Sequence, residues 1–303
     1  MKNKKVLVFG GSGFLGSYII DALLAQNYVV INVDINKPSI DQNCEFKQVD
    51  CMNIEQVMSL LNSSADIIYN FAGYSDLDES INHPKETIET NVLTNLNILQ
   101  LATKINVSRY IYASSAYASS TKGAFYGISK LTCEKIIEEY QKQYDLSYTI
   151  LRYGSLYGKR ADKKNGIYRL LSQAVVEKKI KHFGLGEEIR EYIHAKDAAK
   201  LSVDILNDNY INKHMILTGS EKINQKTLLL MIKEMLNDEI DIEFANKQRE
   251  GHYKYTPYSH NPEQSIKLIA NPFIDLGQGL IECIEEIYQE KKIRSRNESM
   301  TSV

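Results

Sequence analysis

The chain has 303 residues, which at roughly 150 per domain leaves room for about two lobes and a sizeable core. A formal net charge of −2, from 36 basic and 38 acidic residues, provides no concentrated basic field and excludes a dedicated nucleic-acid or membrane-surface binder. Apolar residues at 43% exclude a disordered chain, and 16 glycines with 5 prolines exclude collagen-like or Pro-rich linker material. Trp is absent while Tyr numbers 20, an unusual aromatic split.

From the N-terminus, short β-branched runs alternate with amphipathic helical stretches. Strands are predicted over 5–9, 28–33, 66–70, 109–113 and 147–152, with helices over 14–26, 54–61, 86–105 and 126–144 between them. Apolar strands separated by helices point to a parallel sheet covered on both faces, a doubly wound α/β fold. Beyond residue 155 the rhythm loosens. Helices are predicted over 166–179, 195–207, 225–236 and 279–291, strands over 188–193, 214–218 and 241–244, and polar loops over 160–165 and 247–261. The basic run 291–296 and the polar residues 297–303 read as a solvated tail, frayed over 292–303. Cys44, Cys51, Cys133 and Cys283 form no CxxC pair and have no His at metal spacing, so no metal site is expected. No run approaches the ~18 apolar residues of a membrane helix, and 6–9 is too short for a signal peptide, so a soluble cytoplasmic protein is expected.

The segment Gly10-Gly-Ser-Gly-Phe-Leu-Gly16 lies between the first strand and the first helix, the place of a dinucleotide fingerprint. Gly10 permits the tight turn, Gly13 lets the backbone approach a pyrophosphate, and Gly16 allows close helix–strand packing. Amides at the helix start, at Phe14 and Leu15, then face the phosphates. Asp34 ends the second strand, 18 residues after Gly16, where a carboxylate accepts from both adenosine ribose hydroxyls and repels a 2′-phosphate. NAD is therefore favoured over NADP, with nearby Lys37 softening the preference; a strand-end cap is the plain alternative for Asp34.

Tyr126-Gly-Ile-Ser-Lys130 places a phenol and an ammonium at i and i+4 on one helix face. An unperturbed Tyr, with a pKa near ~10, is a poor base at neutral pH. The adjacent ammonium and the positive nicotinamide of an oxidised cofactor both favour the phenolate. Ser115, just past the end of the fourth strand, would supply a hydroxyl hydrogen bond to the reacting oxygen. A YxxxK match alone is common by chance; it gains weight here by following four βα units and a Ser at a strand end.

On these residues the chain resembles the extended short-chain dehydrogenase/reductases, in the nucleotide-sugar epimerase/dehydratase group, over about residues 4–290. The resemblance implies a Rossmann-type cofactor domain over 1–155, with segments at about 188–215 returning to it, and a smaller α/β substrate lobe over 156–303. The family's GxxGxxG turn matches Gly10, Gly13 and Gly16, and Ser115, Tyr126 and Lys130 match its catalytic triad, the last two also touching the cofactor. Asp50, in Val49-Asp50-Cys51, matches its adenine-contacting acid, with Cys51 beside it at the cofactor. Phe71, Ala72 and Gly73 match the segment along the cofactor's ribose and pyrophosphate, and Asn91 the helix Asn supporting the active site. Leu151-Arg-Tyr-Gly-Ser-Leu-Tyr-Gly158 resembles LRxxNxYG, with Ser155 where the family has an Asn on the substrate pyrophosphate. The segment 183–197 resembles GxGxxxRDFIHVxD, which makes Arg190 the implied diphosphate clamp, with a structural salt bridge as the plain alternative. His194 reads as a packed core histidine. The tyrosine-bearing stretch 253–258 is expected to border the nucleotide-sugar pocket.

Departures from the family's patterns narrow the implied reaction. Dehydrating members follow the catalytic hydroxyl with Asp-Glu; here Ala116 and Tyr117 follow Ser115, which disfavours a 4,6-dehydratase. Epimerising reductases carry Cys and His for carbanion chemistry, a pattern that Ala116 weakens. Reversible hydride transfer at a sugar C4 hydroxyl remains, with NAD as cofactor and a nucleotide-diphosphate sugar as substrate. Only ten residues, 116–125, separate Ser115 from Tyr126. That short rim favours release of the ketone, and so a 4-dehydrogenase, with a 4-epimerase as the alternative. Bacterial surface-polysaccharide pathways, GDP-heptose modification among them, fit the resemblance. A non-catalytic NAD-binding scaffold would be expected to have lost part of the triad, which is intact. Homodimerisation through a four-helix bundle is implied, with 86–105 and 126–144 as the helices.

Overall fold

The computed structural model describes residues 4–245, 251–252, 254 and 266–301. Its first half runs β1 (Lys5–Phe9), α1 (Phe14–Ala25), β2 (Val29–Asp34), β3 (Glu45–Gln48), α2 (Ile54–Met58), β4 (Ile67–Asn70), α3 (Leu77–Asn82), α4 (Pro84–Lys104), β5 (Arg109–Ser115), α5 (Ala124–Tyr144) and β6 (Tyr148–Tyr153). Shorter elements dominate the second half. It adds β7 (Ser155–Tyr157), α6 (Gly166–Ser172), β8 (Lys179–Phe183), β9 (Ile189–Arg190), β10 (Tyr192–His194), α7 (Ala195–Asp204), β11 (Lys213–Leu217), β12 (Ile223–Asn224), α8 (Gln225–Met235), β13 (Asp241–Ala245), β14 (Ile266–Leu268) and α9 (Leu276–Thr301).

Eight strands form one parallel sheet in the order β14-β11-β6-β5-β4-β1-β2-β3. Val6 through Phe9 are wholly buried because helices cover both faces of this sheet. One face carries α1 and α7, with Tyr18, Ile19, Leu23, Ala198 and Leu201 in its core. The other carries α4 and α5, with Ile98, Leu99, Cys133 and Ile137 against Leu7, Tyr110 and Ile150. A third cluster, including Ile167, Leu171, Leu228, Ile232, Leu280 and Ile287, gathers α6, α8 and α9 beside the paired strands β8 and β13. Strand order reverses between β1 and β4, so the loops at their C-terminal ends diverge and open a crevice, where ligands of doubly wound sheets bind.

Several elements differ from the sequence prediction for visible reasons. β3 was missed because its Glu-Phe-Lys-Gln sequence carries a single apolar residue, as suits an edge strand. α3 is only six residues long and is held by Asp76, which caps the Glu79 amide. The helix predicted over 166–179 ends earlier, in a π-helical turn at Gln173–Glu177 that frees β8 to begin at Lys179. The tail predicted to fray continues α9 as helix to Thr301, its residues 292–297 exposed. β5 extends through Ser115, whose partner in β6 is Tyr153.

That extension brings Ser114 onto α5. Glu134 on the inner face of α5 is completely buried, accepts from Nε and Nη2 of Arg152 in β6 at 2.9 and 2.6 Å, and accepts from Ser114 Oγ at 2.5 Å. Removing one partner of such a pair leaves the other charge buried and uncompensated. Glu134→Ala is expected to lower the unfolding free energy by about 3–5 kcal/mol in denaturant titration. A loss below ~1 kcal/mol, the range of an exposed pair, would contradict the burial of this pair.

Candidate active site

The β1–α1 turn packs against the loop after β4. Gly10 has φ of 76°, and a Cβ there would lie 2.6 Å from the carbonyl carbon of Phe71. A Cβ at Gly16 would collide with the Gly10 carbonyl oxygen. The turn therefore tolerates no side chain at either position. α1 begins after Gly13 with no side-chain cap, leaving the first-turn amides, those of Phe14 and Leu15 among them, for an anion. Asp34 closes the turn from the end of β2, accepting from the Ser12 and Asn36 amides at 3.0 and 2.9 Å. These features fit a dinucleotide: amides for the pyrophosphate, and a carboxylate at a strand end for the ribose.

Other residues predicted for the cofactor surround this turn or support it. Asp50 follows β3 and accepts from the Met52 amide at 2.9 Å, and Cys51 is buried, its carbonyl held by Asn97 Nδ2 at 3.0 Å. Phe71, Ala72 and Gly73 form the loop after β4, Phe71 stacking on Tyr69 with centroids 6.0 Å apart. Asn91 is buried with both ends of its amide engaged: Oδ1 accepts from the Tyr74 amide at 2.6 Å, and Nδ2 donates to Tyr74 O at 3.1 Å and to Ser129 Oγ at 2.7 Å. Its place is beneath the loop, which it ties to α5.

Beside the crevice lies a cleft of about 630 Å³. Phe14, Ser115, Tyr126, Ser155, Arg169, Arg190 and Tyr192 are among the residues that line it. Ser115 Oγ caps the turn over Ala116–Ser119, accepting from the Tyr117 amide at 3.3 Å. Lys130 lies one turn behind Tyr126, with Nζ 5.7 Å from the Tyr126 ring centroid and 5.1 Å from that of Tyr112. Nζ donates to the Ala113 carbonyl at 2.9 Å, which fixes the ammonium behind the cleft. Burial lowers the Lys130 pKa to about 8, with Cys133 and Glu134 opposing more weakly.

Arg190, also lining the cleft, is 8% exposed and donates from Nη1 to the Ile189 carbonyl at 3.1 Å. Ser155 stands in β7, opposite Tyr192 of β10. His194 packs in the core as expected, its ring edge-on to Tyr157 at 5.1 Å and its Nδ1 accepting from the Lys196 amide at 3.2 Å. Burial pulls its pKa down to about 4, which keeps it neutral. Of the stretch 253–258 expected to border the pocket, all but Lys254 lie outside the described residues. The sequence reading missed Asp78, Tyr117 and His252, which also line the cleft. Tyr117 carried a signal, lying two residues after Ser115; His252 and Asp78 carried none, being 174 residues apart. Among the described residues no group of His, Cys, Asp and Glu could hold a metal ion, and no helix is long and apolar enough to cross a membrane.

The Lys130 shift has a thermodynamic sign. Below pH 8 the folded protein bears the full cost of a buried ammonium; as pH rises from about 8 towards 10.5, only the unfolded chain still binds the proton and stability climbs. Lys130→Met without cofactor is therefore expected to be more stable than wild type at pH 7, with an advantage that shrinks as pH rises through 8. Denaturant unfolding of both proteins across this range measures it. A pH-independent difference would contradict the shift.

Known proteins share this fold. The model of the NAD dependent epimerase/dehydratase family matches residues 6–217. A putative UDP-glucose 4-epimerase of Methanocaldococcus jannaschii is 27% identical over 300 residues, covering 91% of this chain and 95% of that protein. The UDP-glucose 4-epimerase of Thermotoga maritima, solved with UDP-glucose, superposes with a TM-score of 0.81 at 21% identity, covering 94% of this chain and 99% of that one. The UDP-glucuronic acid 4-epimerase of Bacillus cereus, solved with UDP-glucuronic acid and NAD, superposes with a TM-score of 0.82 at 22% identity and the same coverage. At such identities the two structures establish a common fold. The family model, spanning the glycine turn, Ser115, Tyr126, Lys130 and Arg190, places the chain in the NAD dependent epimerase/dehydratase family, with NAD as its cofactor.

Proposed function

We propose that this enzyme oxidises a nucleotide-diphosphate sugar at the C4 hydroxyl and releases the 4-keto sugar. The observation that carries the reading is the convergence of Ser115, Tyr126 and Arg190 on one cleft, with Lys130 Nζ 5.7 Å from the Tyr126 ring centroid. NAD, when bound, supplies the hydride acceptor. Tyr126 Oη takes the proton of the C4 hydroxyl, and the Lys130 ammonium favours the phenolate that does so. Ser115 Oγ donates to the same substrate oxygen. Arg190 pairs with the diphosphate, whose planar fork geometry a guanidinium matches. Gly10, Gly13, Phe14, Leu15, Asp34, Asp50, Cys51 and the loop 71–73 hold the cofactor, and Asn91 supports them through Tyr74.

Ala116 and Tyr117 leave no carboxylate pair after Ser115, which argues against dehydration. The short 116–125 rim supports release of the ketone. The 4-epimerase names of several relatives support the second reading, in which the ketone turns over and is reduced on its other face. The low-salt glycan biosynthesis protein Agl12 of Haloferax volcanii is 26% identical over 305 residues, which supports a place in glycan assembly. GDP-heptose, implied by the family resemblance, belongs among the substrates tried. Incubation with UDP-, GDP- and dTDP-sugars, followed by NMR of the products, is expected to give a 4-keto sugar with one NADH per turnover. A C4 epimer formed without net NADH would replace the dehydrogenase with the epimerase.

We also propose a homodimer through α4 and α5. Leu93, Phe125, Ile128 and Leu131 stand exposed on these two packed helices, at 44, 39, 56 and 39%. Four exposed apolar side chains on neighbouring helices suit burial against a second copy. Ile128→Glu is expected to shift the species seen by light scattering from dimer to monomer. A monomeric wild type at assay concentration would overturn the interface.

A further inference from the structure

The cleft holds a second hydrogen-bonded chain that C4 oxidation does not use. The Tyr117 hydroxyl lies 3.1 Å from His252 Nδ1. His252 Nε2 lies 2.7 Å from Asp78 Oδ1, and Asp78 Oδ2 is 3.4 Å from Arg169 Nη2. All four side chains line the same cleft as Ser115 and Tyr126. The rings of Tyr117 and Tyr126 meet edge to face with centroids 6.5 Å apart, and both line the cleft.

With Asp78 ionised and the His252 ring neutral, the hydrogen-bond directions are set. An ionised carboxylate only accepts, so Nε2 carries the ring hydrogen and donates to Asp78. In the neutral ring Nδ1 is then an acceptor, and the Tyr117 hydroxyl donates to it. A phenol aimed at an imidazole that is oriented by a carboxylate has the same proton logic as a hydroxyl nucleophile in a triad. Nor is this chain needed to hold His252 in place. The Gly251 carbonyl accepts from the Gly123 amide at 2.8 Å and the Lys254 carbonyl from the Ile189 amide at 2.9 Å, so backbone bonds secure the segment on both sides.

We propose that Tyr117, backed by His252 and Asp78, is a second acid–base group that removes and returns a proton on a carbon next to the C4 ketone. The inference rests on the C4 oxidation proposed above, which supplies that ketone. As the Tyr117 proton passes to His252 Nδ1, Tyr117 Oη takes the proton of the adjacent C–H bond. The C–H electron pair becomes the new C=C bond to C4, and the carbonyl π pair moves onto the C4 oxygen. Tyr126, already protonated by the oxidation step, donates to that enolate oxygen together with Ser115. Reversal returns the proton to carbon, from the same face or the opposite one, with no oxidant or reductant consumed. The imidazolium formed on the way is paired with Asp78.

Deuterium exchange in D2O tests this directly. The enzyme with NAD is given UDP-, GDP- and dTDP-sugars, and separately a dTDP- or GDP-4-keto-6-deoxy sugar chosen because calorimetry shows that it binds. Expected is deuterium at a carbon flanking C4, located by NMR, above the enzyme-free rate. Tyr117→Phe and His252→Gln are expected to lower deuterium incorporated per ketone bound by about 10²-fold. That ratio does not fall merely because less protein is folded. A bound ketone that exchanges no faster than without enzyme, or variants that exchange at the wild-type ratio, would overturn the second acid–base group. If NADH forms but no exchange occurs, this inference fails and C4 oxidation stands. If the supplied ketone exchanges but no sugar nucleotide yields NADH, C4 oxidation fails and the acid–base group stands.

Discussion

The buried pair between Glu134 and Arg152 is the constraint on which the geometry of the cleft depends. It joins α5 to β6, and the third bond, from Ser114, joins the same carboxylate to β5. Ser115 is the next residue on that strand, and Lys130 lies one helical turn before Glu134. The hydroxyl, the phenol and the ammonium are thus positioned by one fully desolvated carboxylate. Such a pair contributes little net stability compared with an apolar contact, but it tolerates few alternative positions of the helix. Lys130, its own amine held by the Ala113 carbonyl, is the functional beneficiary.

The glycine turn is a second fixed point, set by contact rather than charge. Backbone of the loop after β4 occupies the space that a Gly10 side chain would need, so the two loops flanking the strand-order reversal interlock. The uncapped start of α1 then faces the crevice. Near-neutral net charge is compatible with the proposed diphosphate substrate, because the cations Arg190 and Arg169 line the cleft itself. The odd aromatic split also acquires a reason in packing. Tyr69, Tyr110 and Tyr153 fill the core beside the sheet, and each hydroxyl has a partner: Ser202 O at 2.7 Å, Asn95 Oδ1 at 2.8 Å and Ser202 Oγ at 2.6 Å. Tyrosine there supplies aromatic volume and ties sheet to helix in one side chain.

Local patterns made much of the fold legible. β1 and β4 are short apolar runs, β6 is apolar apart from Thr149 and Arg152, and α4 and α5 are long and amphipathic, so their existence and order followed from periodicity. Gly10, Gly13 and Gly16 with the following helix, and Tyr126 with Lys130, are short-range spacings that a sequence displays directly. What escaped was long-range or marginal. Strand β3 has too little apolar content to announce itself, and α3 is shorter than two turns. The helical continuation of α9 through a highly charged stretch runs against a solvated-tail reading of the same residues. Tyr117, His252 and Asp78 meet only because the loop after β5, His252 and the start of α3 converge on the cleft. No spacing rule connects positions so far apart in the chain.

The central claim is that Tyr126 draws a proton from a sugar hydroxyl while its carbon gives hydride to NAD. The most direct measurement is the reduced-nicotinamide absorbance of NAD-loaded protein on addition of sugar nucleotides, compared with Tyr126→Phe under the same NAD occupancy. The account expects the band to rise with at least one sugar nucleotide in the wild type and to stay at baseline in the variant. A variant that raises the band as fast as the wild type would contradict it.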